Sequence, residues 1–216
     1  MLRSDTMKPL IIRLLAVFLL VLPPAGFTQA EQGQKTLMVF GDSLSAAYGI
    51  QEEQGWVTLL QQRLEKENYG YQVINASVSG ETSTGGLARL PAMLDTHQPD
   101  LVILELGGND GLRGLPLNHL KENLQEMINL IRSAGAEILL AGIQIPPNYG
   151  PRYTIPFFEL FGELADENEL PIVPFLIDGI PQQPELMQND GIHPRAEAQW
   201  MIVENVWPYL EPLLDS

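Results

Sequence analysis

The chain has 216 residues, 45% of them apolar, and its 27 Asp and Glu against 12 Lys and Arg give a formal charge of −15; one ordered domain with a sizeable core is expected. Affinity for a phosphate backbone comes mostly from clustered Lys and Arg, and here the bases are few and scattered, which argues against nucleic acid as a partner. The absence of cysteine excludes disulfides, thiolate zinc sites, a cysteine nucleophile and a lipid-bearing amino-terminal cysteine.

The amino terminus reads as an address. Arg3, Lys8 and Arg13 lead into the unbroken apolar run 14–22, followed by Pro23, Pro24 and Gly26. Such a run is too short for a permanent transmembrane helix, which needs ~20 apolar residues. It suits the core of a secretory signal, with Thr28-Gln29-Ala30 offering small residues at the cleavage positions. The expectation is a signal peptide over residues 1–30, cleaved after Ala30, with an uncleaved anchor helix as the alternative, and a domain over 31–216 that is periplasmic or secreted and, once processed, keeps no stable transmembrane segment.

From Thr36 onward, short apolar runs alternate with stretches of helical period, the pattern of parallel strands joined by crossover helices. The runs are 36–40, 71–75, 100–106, 137–143 and 171–175. They are nearly continuously apolar, so helices should cover both faces of a five-stranded parallel sheet, giving an α/β/α three-layer sandwich. Trp56, Leu60 and Leu64 form one helical stripe. A helix is expected around 87–94, with a kink or break at Pro91. Leu120, Leu124, Met127, Ile128 and Ile131 recur at steps of three and four, with Asn118 as candidate N-cap and Gly135 as stop. Phe157, Leu160, Phe161 and Leu164 form a further stripe. The last helix is expected to start near Pro194 and to bend or end by Pro208.

Open parallel sheets bind ligands beyond the carboxyl ends of their strands, so those turns carry the candidate chemistry. The first strand runs into Gly41-Asp42-Ser43, which places a hydroxyl on the first such turn beside a glycine that permits a tight bend. Gly-Asp-Ser is also ordinary turn chemistry, with Asp and Ser bonding their own backbone. The third strand runs into Gly107-Gly108-Asn109, delivering an uncharged amide that donates two hydrogen bonds. After the second strand, the turn at Gly80 can present an N–H to the same point, and a plain flexible loop is its alternative reading. Near the carboxyl end, Asp190 and His193 stand three residues apart, so one loop carries a carboxylate and an imidazole together. A carboxylate on one ring nitrogen fixes the tautomer and leaves the other nitrogen free to take a proton from a serine. His97 and His119, at a polar loop and a helix start, read as structural.

Together these segments resemble the blocks of the SGNH (GDSL) hydrolases: the strings beginning at Gly41 (GDSLS), Asn75 (NASVSG), Gly86 (GLARLP), Glu105 (ELGGNDGLRG), Pro147 (PNYG) and Asp190 (DGIHP). Within the family they are most similar to the bacterial periplasmic thioesterase/protease/lysophospholipase group. The resemblance implies a flavodoxin-like sandwich and hydrolysis of esters or thioesters through an acyl-enzyme. It implies Ser43 as nucleophile, His193 as base and Asp190 as its orienter, with the Ser43 N–H, the Gly80 N–H and the Asn109 amide as oxyanion donors. No cofactor is implied. No metal is expected either, since no His/Asp/Glu set other than Asp190 and His193 has ligand spacing.

For the substrate, a small-molecule acyl ester or lysophospholipid, residues 145–158 and 112–117 are the candidate walls of an acyl groove, with Tyr149, Tyr153 and Phe157 on one side and Leu112, Leu115 and Leu117 on the other. Phe157 and Phe158 alternatively begin a core helix. An exported acidic protein suits lysophospholipids better than acyl-CoA, whose carrier is highly anionic and cytoplasmic. A carbohydrate deacetylase on the same scaffold would need polar, aromatic walls, and a noncatalytic binding module would need a lost chemical residue, of which there is none.

Overall fold

The computed structural model describes residues 34–214; the expected signal peptide lies outside them. Five strands, β1 (Lys35–Gly41), β2 (Tyr71–Asn75), β3 (Leu101–Glu105), β4 (Glu137–Ala141) and β5 (Ile172–Val173), form one sheet in the order β2-β1-β3-β4-β5. Every pairing is parallel. Alternation along the strands sends side chains to two separate cores. Leu37, Val39, Leu101 and Ile103 meet helices α1 (Trp56–Lys66) and α6 (Gln199–Leu210) on one face. Met38, Phe40, Val102 and Leu104 meet α2 (Ser83–His97), α4 (Leu117–Ser133) and α5 (Pro151–Asn168) on the other. The sandwich expected from the apolar runs is therefore present, and β1 and β3 at its centre bury nearly every side chain.

The differences from expectation fall at helix ends and prolines. Asn118 is not the N-cap of α4: the helix begins at Leu117 after Pro116, because Leu117 already packs against the second core. Gly135, with φ +86, follows the C-cap Ala134 as expected. Pro91 does not break the helix: α2 runs through it, and Pro91, which is exposed, supplies no N–H to the helix. Pro208 likewise lies inside α6, which continues to Leu210. Pro194 does not start the last helix. It pairs with Met187 in an isolated antiparallel bridge, and a 3-10 turn at Ala196–Ala198 precedes α6. That bridge folds the chain back on itself, with His193 directly before Pro194.

Among the described residues no helix is long and apolar enough to cross a membrane.

Candidate active site

The carboxyl ends of β1 and β3 are in register, Gly41 opposite Glu105, so the turns that leave them start side by side. The first turn, at Asp42 and Ser43, is built over a buried carboxyl. Glu105 Oε2 accepts the Asp42 N–H at 3.1 Å and the Ser45 hydroxyl at 2.7 Å. Gly41 is needed less for a bend than for this close approach: a Cβ there would lie 2.4 Å from Glu105 Oε2. Asp42, itself buried, accepts the Leu44 N–H at 3.1 Å and the Asn109 Nδ2–H at 3.0 Å. One of the two amide hydrogens of Asn109 is thereby fixed, which aims the group and leaves the other to donate.

Both carboxyls are pushed up by burial. Asp42 rises to about 6, the loss of water outweighing the Leu44 N–H and the pull of His193. Glu105 rises well above the ordinary range, through burial first and the nearby Asp42 charge second. Two carboxylates this close in a dry interior do not ionise together, so as pH rises Asp42 gives up its proton first and Glu105 keeps its own longer.

The other half of the site arrives from 150 residues away. His193 Nε2 lies 2.8 Å from Ser43 Oγ, and His193 Nδ1 lies 2.7 Å from Asp190 Oδ2. Asp190 Oδ1 also accepts the backbone N–H groups of Ile192 and His193 at 2.9 and 3.1 Å. Partial burial works against the charged form of Asp190, but the ring N–H and the two backbone N–H groups outweigh it and hold the carboxyl below its usual value. A charged Asp190 on Nδ1 favours the tautomer with the proton there, leaving Nε2 to accept from Ser43.

Gly80 stands on a third turn, with φ +81. Three links draw this turn toward the other two: the Val78 N–H donates to the Gly41 carbonyl at 3.0 Å, Arg113 Nη2 donates to the Gly80 carbonyl at 3.0 Å, and Ser83 N–H and Oγ–H donate to the buried Asp110 at 2.8 and 2.6 Å. Arg113 and Asp110 flank or belong to the short helix α3 (Gly108–Leu112) that carries Asn109.

Beside Ser43 and Asn109 opens a cavity of about 390 Å³, lined on its apolar sides by Leu44, Leu112, Ile143, Ile145, Phe175, Ile177, Met187 and Ile192. Of the expected walls, Leu112 and the start of the 145–158 stretch, Ile145, Pro146 and Pro147, line it, whereas Leu115, Leu117, Tyr149, Tyr153 and Phe157 do not. Tyr149 and Tyr153 instead donate their hydroxyls to the Leu112 and Leu115 carbonyls at 2.9 and 2.7 Å, bracing the segment behind the wall. Phe157 is fully buried in the second core, against Phe161 and under Gly111, because α5 begins at Pro151 and its stripe already includes this position. Phe158 turns outward and is partly exposed.

A family profile described as GDSL-like lipase/acylhydrolase matches residues 39–201. The chain belongs to that family. Esterase TesA of Pseudomonas aeruginosa is 54% identical over 184 residues, 85% of this chain and 92% of that protein. The Escherichia coli K12 protein named thioesterase 1/protease 1/lysophospholipase L1 is 42% identical over 180 residues, 83% of this chain and 85% of its own. A crystal structure of TesA superimposes with a TM-score of 0.81 at 54% identity, covering 83% of this chain and all of that one. The activity of this GDSL-like acylhydrolase is that of an SGNH-type ester hydrolase.

Sequence reasoning passed over several residues that build this hydrolase's site. Asp42 reads as turn chemistry, and its Oδ1 does accept the Leu44 N–H, but its Oδ2 also anchors Asn109. Glu105 was visible as the one acid in a strand that is otherwise apolar, and a charge at a strand end buried on both faces was the available signal. Gln188, which ties the His193 loop to the Ser43 turn, carries no signal in its type or spacing.

Proposed function

We propose that the protein hydrolyses carboxylic esters and thioesters of acyl chains through an acyl-enzyme on Ser43. The observation that supports this best is the unbroken relay from Ser43 Oγ to His193 Nε2 and from His193 Nδ1 to Asp190, at 2.8 and 2.7 Å, opening on a largely apolar cavity. In this reading His193 takes the serine proton as Oγ attacks the carbonyl carbon, then gives that proton to the departing alcohol or thiol. A water molecule, its proton drawn off by the same nitrogen, releases the acid and restores the hydroxyl. The oxygen that becomes negative in each tetrahedral intermediate is received by the Asn109 amide and the N–H groups of Ser43 and Gly80.

The aliphatic lining favours an acyl chain over a sugar, because a carbohydrate needs hydrogen-bonding and stacking surfaces where this cavity offers Ile143, Ile145, Ile177 and Met187. With residues 1–30 read as a leader, the working substrates are esters met outside the cytoplasm, such as lysophospholipids, in preference to acyl-CoA. Two measurements test the reading. Ser43→Ala should abolish hydrolysis of nitrophenyl esters and labelling by a fluorophosphonate, and labelling that survives the substitution would remove Ser43 from the role. Across acetyl to dodecanoyl nitrophenyl esters, kcat/KM should rise with chain length beyond acetyl. A maximum at acetyl would favour the deacetylase reading instead.

A further inference from the structure

Tyr48 is half exposed, yet its position is closely determined. The backbone is left-handed on both sides of it, φ 54 at Ala47 and φ 74 at Gly49, a conformation an alanine adopts only when its surroundings impose it. Gln188 does part of the imposing. Its Nε2 donates to the Tyr48 carbonyl at 2.8 Å and to the Pro194 carbonyl at 3.1 Å, while its own N–H donates to the His193 carbonyl at 2.7 Å. A Cβ at position 49 would stand 2.3 Å from Gln188 Oε1, so the glycine there lets the amide enter between the two loops. The result is that the phenol ring of Tyr48 lies against the imidazole of His193, centroids 4.5 Å apart and planes inclined at 39°.

Asp190 holds one edge of that imidazole and Ser43 meets the other, but edge contacts do not stop a ring from swinging about its own axis. We propose that Tyr48 is a positioning residue of the hydrolase, its ring covering one face of His193 and keeping Nε2 in line with Ser43 Oγ while the imidazole carries the serine proton. The physical reason is twofold. A ring packed on the face limits the swing, and a small misalignment of reacting atoms is enough to slow a proton transfer strongly. Once protonated, the imidazole is a cation within about 6 Å of an aromatic face, where the ring quadrupole attracts it. The inference rests on His193 serving as the base.

The test compares Tyr48→Leu, Tyr48→Phe and Ser43→Ala with the parent, measuring kcat and KM on nitrophenyl butyrate, the rate of fluorophosphonate labelling, and thermal melting. Tyr48→Leu should lower kcat by about five- to thirty-fold, leave KM within about two-fold, and slow labelling in proportion to kcat, since His193 takes the same proton in that reaction. Tyr48→Phe, which keeps the ring, should recover most of the loss. Tyr48→Gln carries the same expectation as Tyr48→Leu and replaces it should the leucine variant melt early. A ringless variant at the parent's kcat, a loss confined to KM, or a phenylalanine variant as slow as the leucine one would each overturn the proposal. Full activity of Ser43→Ala would instead sink the acyl-enzyme reading, so the two failures are distinct.

Discussion

The two halves of the site are held by opposite means. Ser43 and Asn109 leave the ends of the two central strands, above Asp42 and Glu105, which are 2% and 0% exposed. Asp190 and His193 ride a surface loop, residues 187–195, secured by hydrogen bonds from Gln188 and from Arg195, whose Nε donates to the Met187 carbonyl at 2.7 Å and whose backbone N–H donates to the Leu186 carbonyl at 2.7 Å. The strand half is thus part of the core that keeps the protein folded. The loop half is exposed or half-buried apart from Met187 and Pro194, and is expected to tolerate loosening without unfolding. The contrast suits the proposed chemistry, in which Ser43, Gly80 and Asn109 supply the oxyanion donors and His193 the base: such donors must already be aimed before charge develops, because reorienting them during reaction would consume the stabilisation they give. A base must instead take up and release a proton twice per turnover.

The largest expected effect sharpens the strand half. Asn109→Ala should lower kcat by about 10²–10³, or ~2.7–4 kcal/mol, with little change in KM, because in the proposed role the donor acts on charge present only in the transition state. If KM rose and kcat stayed near the parent's, Asn109 would be a ground-state contact and the strand half would lose its oxyanion assignment.

Next is stability. Glu105→Ala strips acceptors from the Asp42 N–H and the Ser45 hydroxyl, and should destabilise the fold by about 2–4 kcal/mol in chemical denaturation, each buried group left unpaired counting for ~1–3 kcal/mol. Glu105→Gln keeps an acceptor oxygen and should lose much less. The same pair of variants reads the buried proton. Glu105 titrates higher in the folded protein than in the unfolded chain, so the folded state retains a proton the unfolded state gives up. Its contribution is fully present below the ordinary glutamate range, about 4.3, and is lost as pH rises toward the folded value. Asp42, raised to about 6, acts in the same direction between its ordinary value and that point. The parent's melting temperature should therefore decline as pH rises above the ordinary carboxylate range and through about 6, and Glu105→Gln should flatten the decline. An equally steep curve in the glutamine variant would mean that Glu105 is not the group holding the proton.

The smallest effect belongs to the loop. Gln188→Ala removes the bridge from the loop to the Ser43 turn and should lower kcat/KM about three- to ten-fold while costing about 1 kcal/mol of stability. A loss of stability as large as that of Glu105→Ala would show the loop to be part of the core after all, and would collapse the comparison.

The strands were legible because a parallel sheet covered on both faces demands continuous apolar runs, and the five runs fall on β1 to β5 with ends shifted by a few residues. Gly-Asp-Ser, Gly-Gly-Asn and Asp-x-x-His could be picked out because each is a short string on a strand-end turn or a single loop. Phe157 was legible only in part: helical period marked it as core, its aromatic type marked it as groove, and the start of α5 decided for the core. Pro194 misled in the other direction. Its type fits the first turn of a helix, but the bridge to Met187 claims it.

What the sequence determined alone is what depends on near neighbours along the chain: strand and helix type, the turn residues, and the pairing of Asp190 with His193 three positions away. What only the tertiary structure decided is every contact between residues far apart. The burial of Glu105 under the Ser43 turn, the hold of Asp42 on Asn109, the wedge of Gln188 and the ring of Tyr48 on His193 join positions 63, 67, 140 and 145 residues apart. Such contacts leave no period in the sequence, because periodicity records which face of one element is buried and not what lies against it.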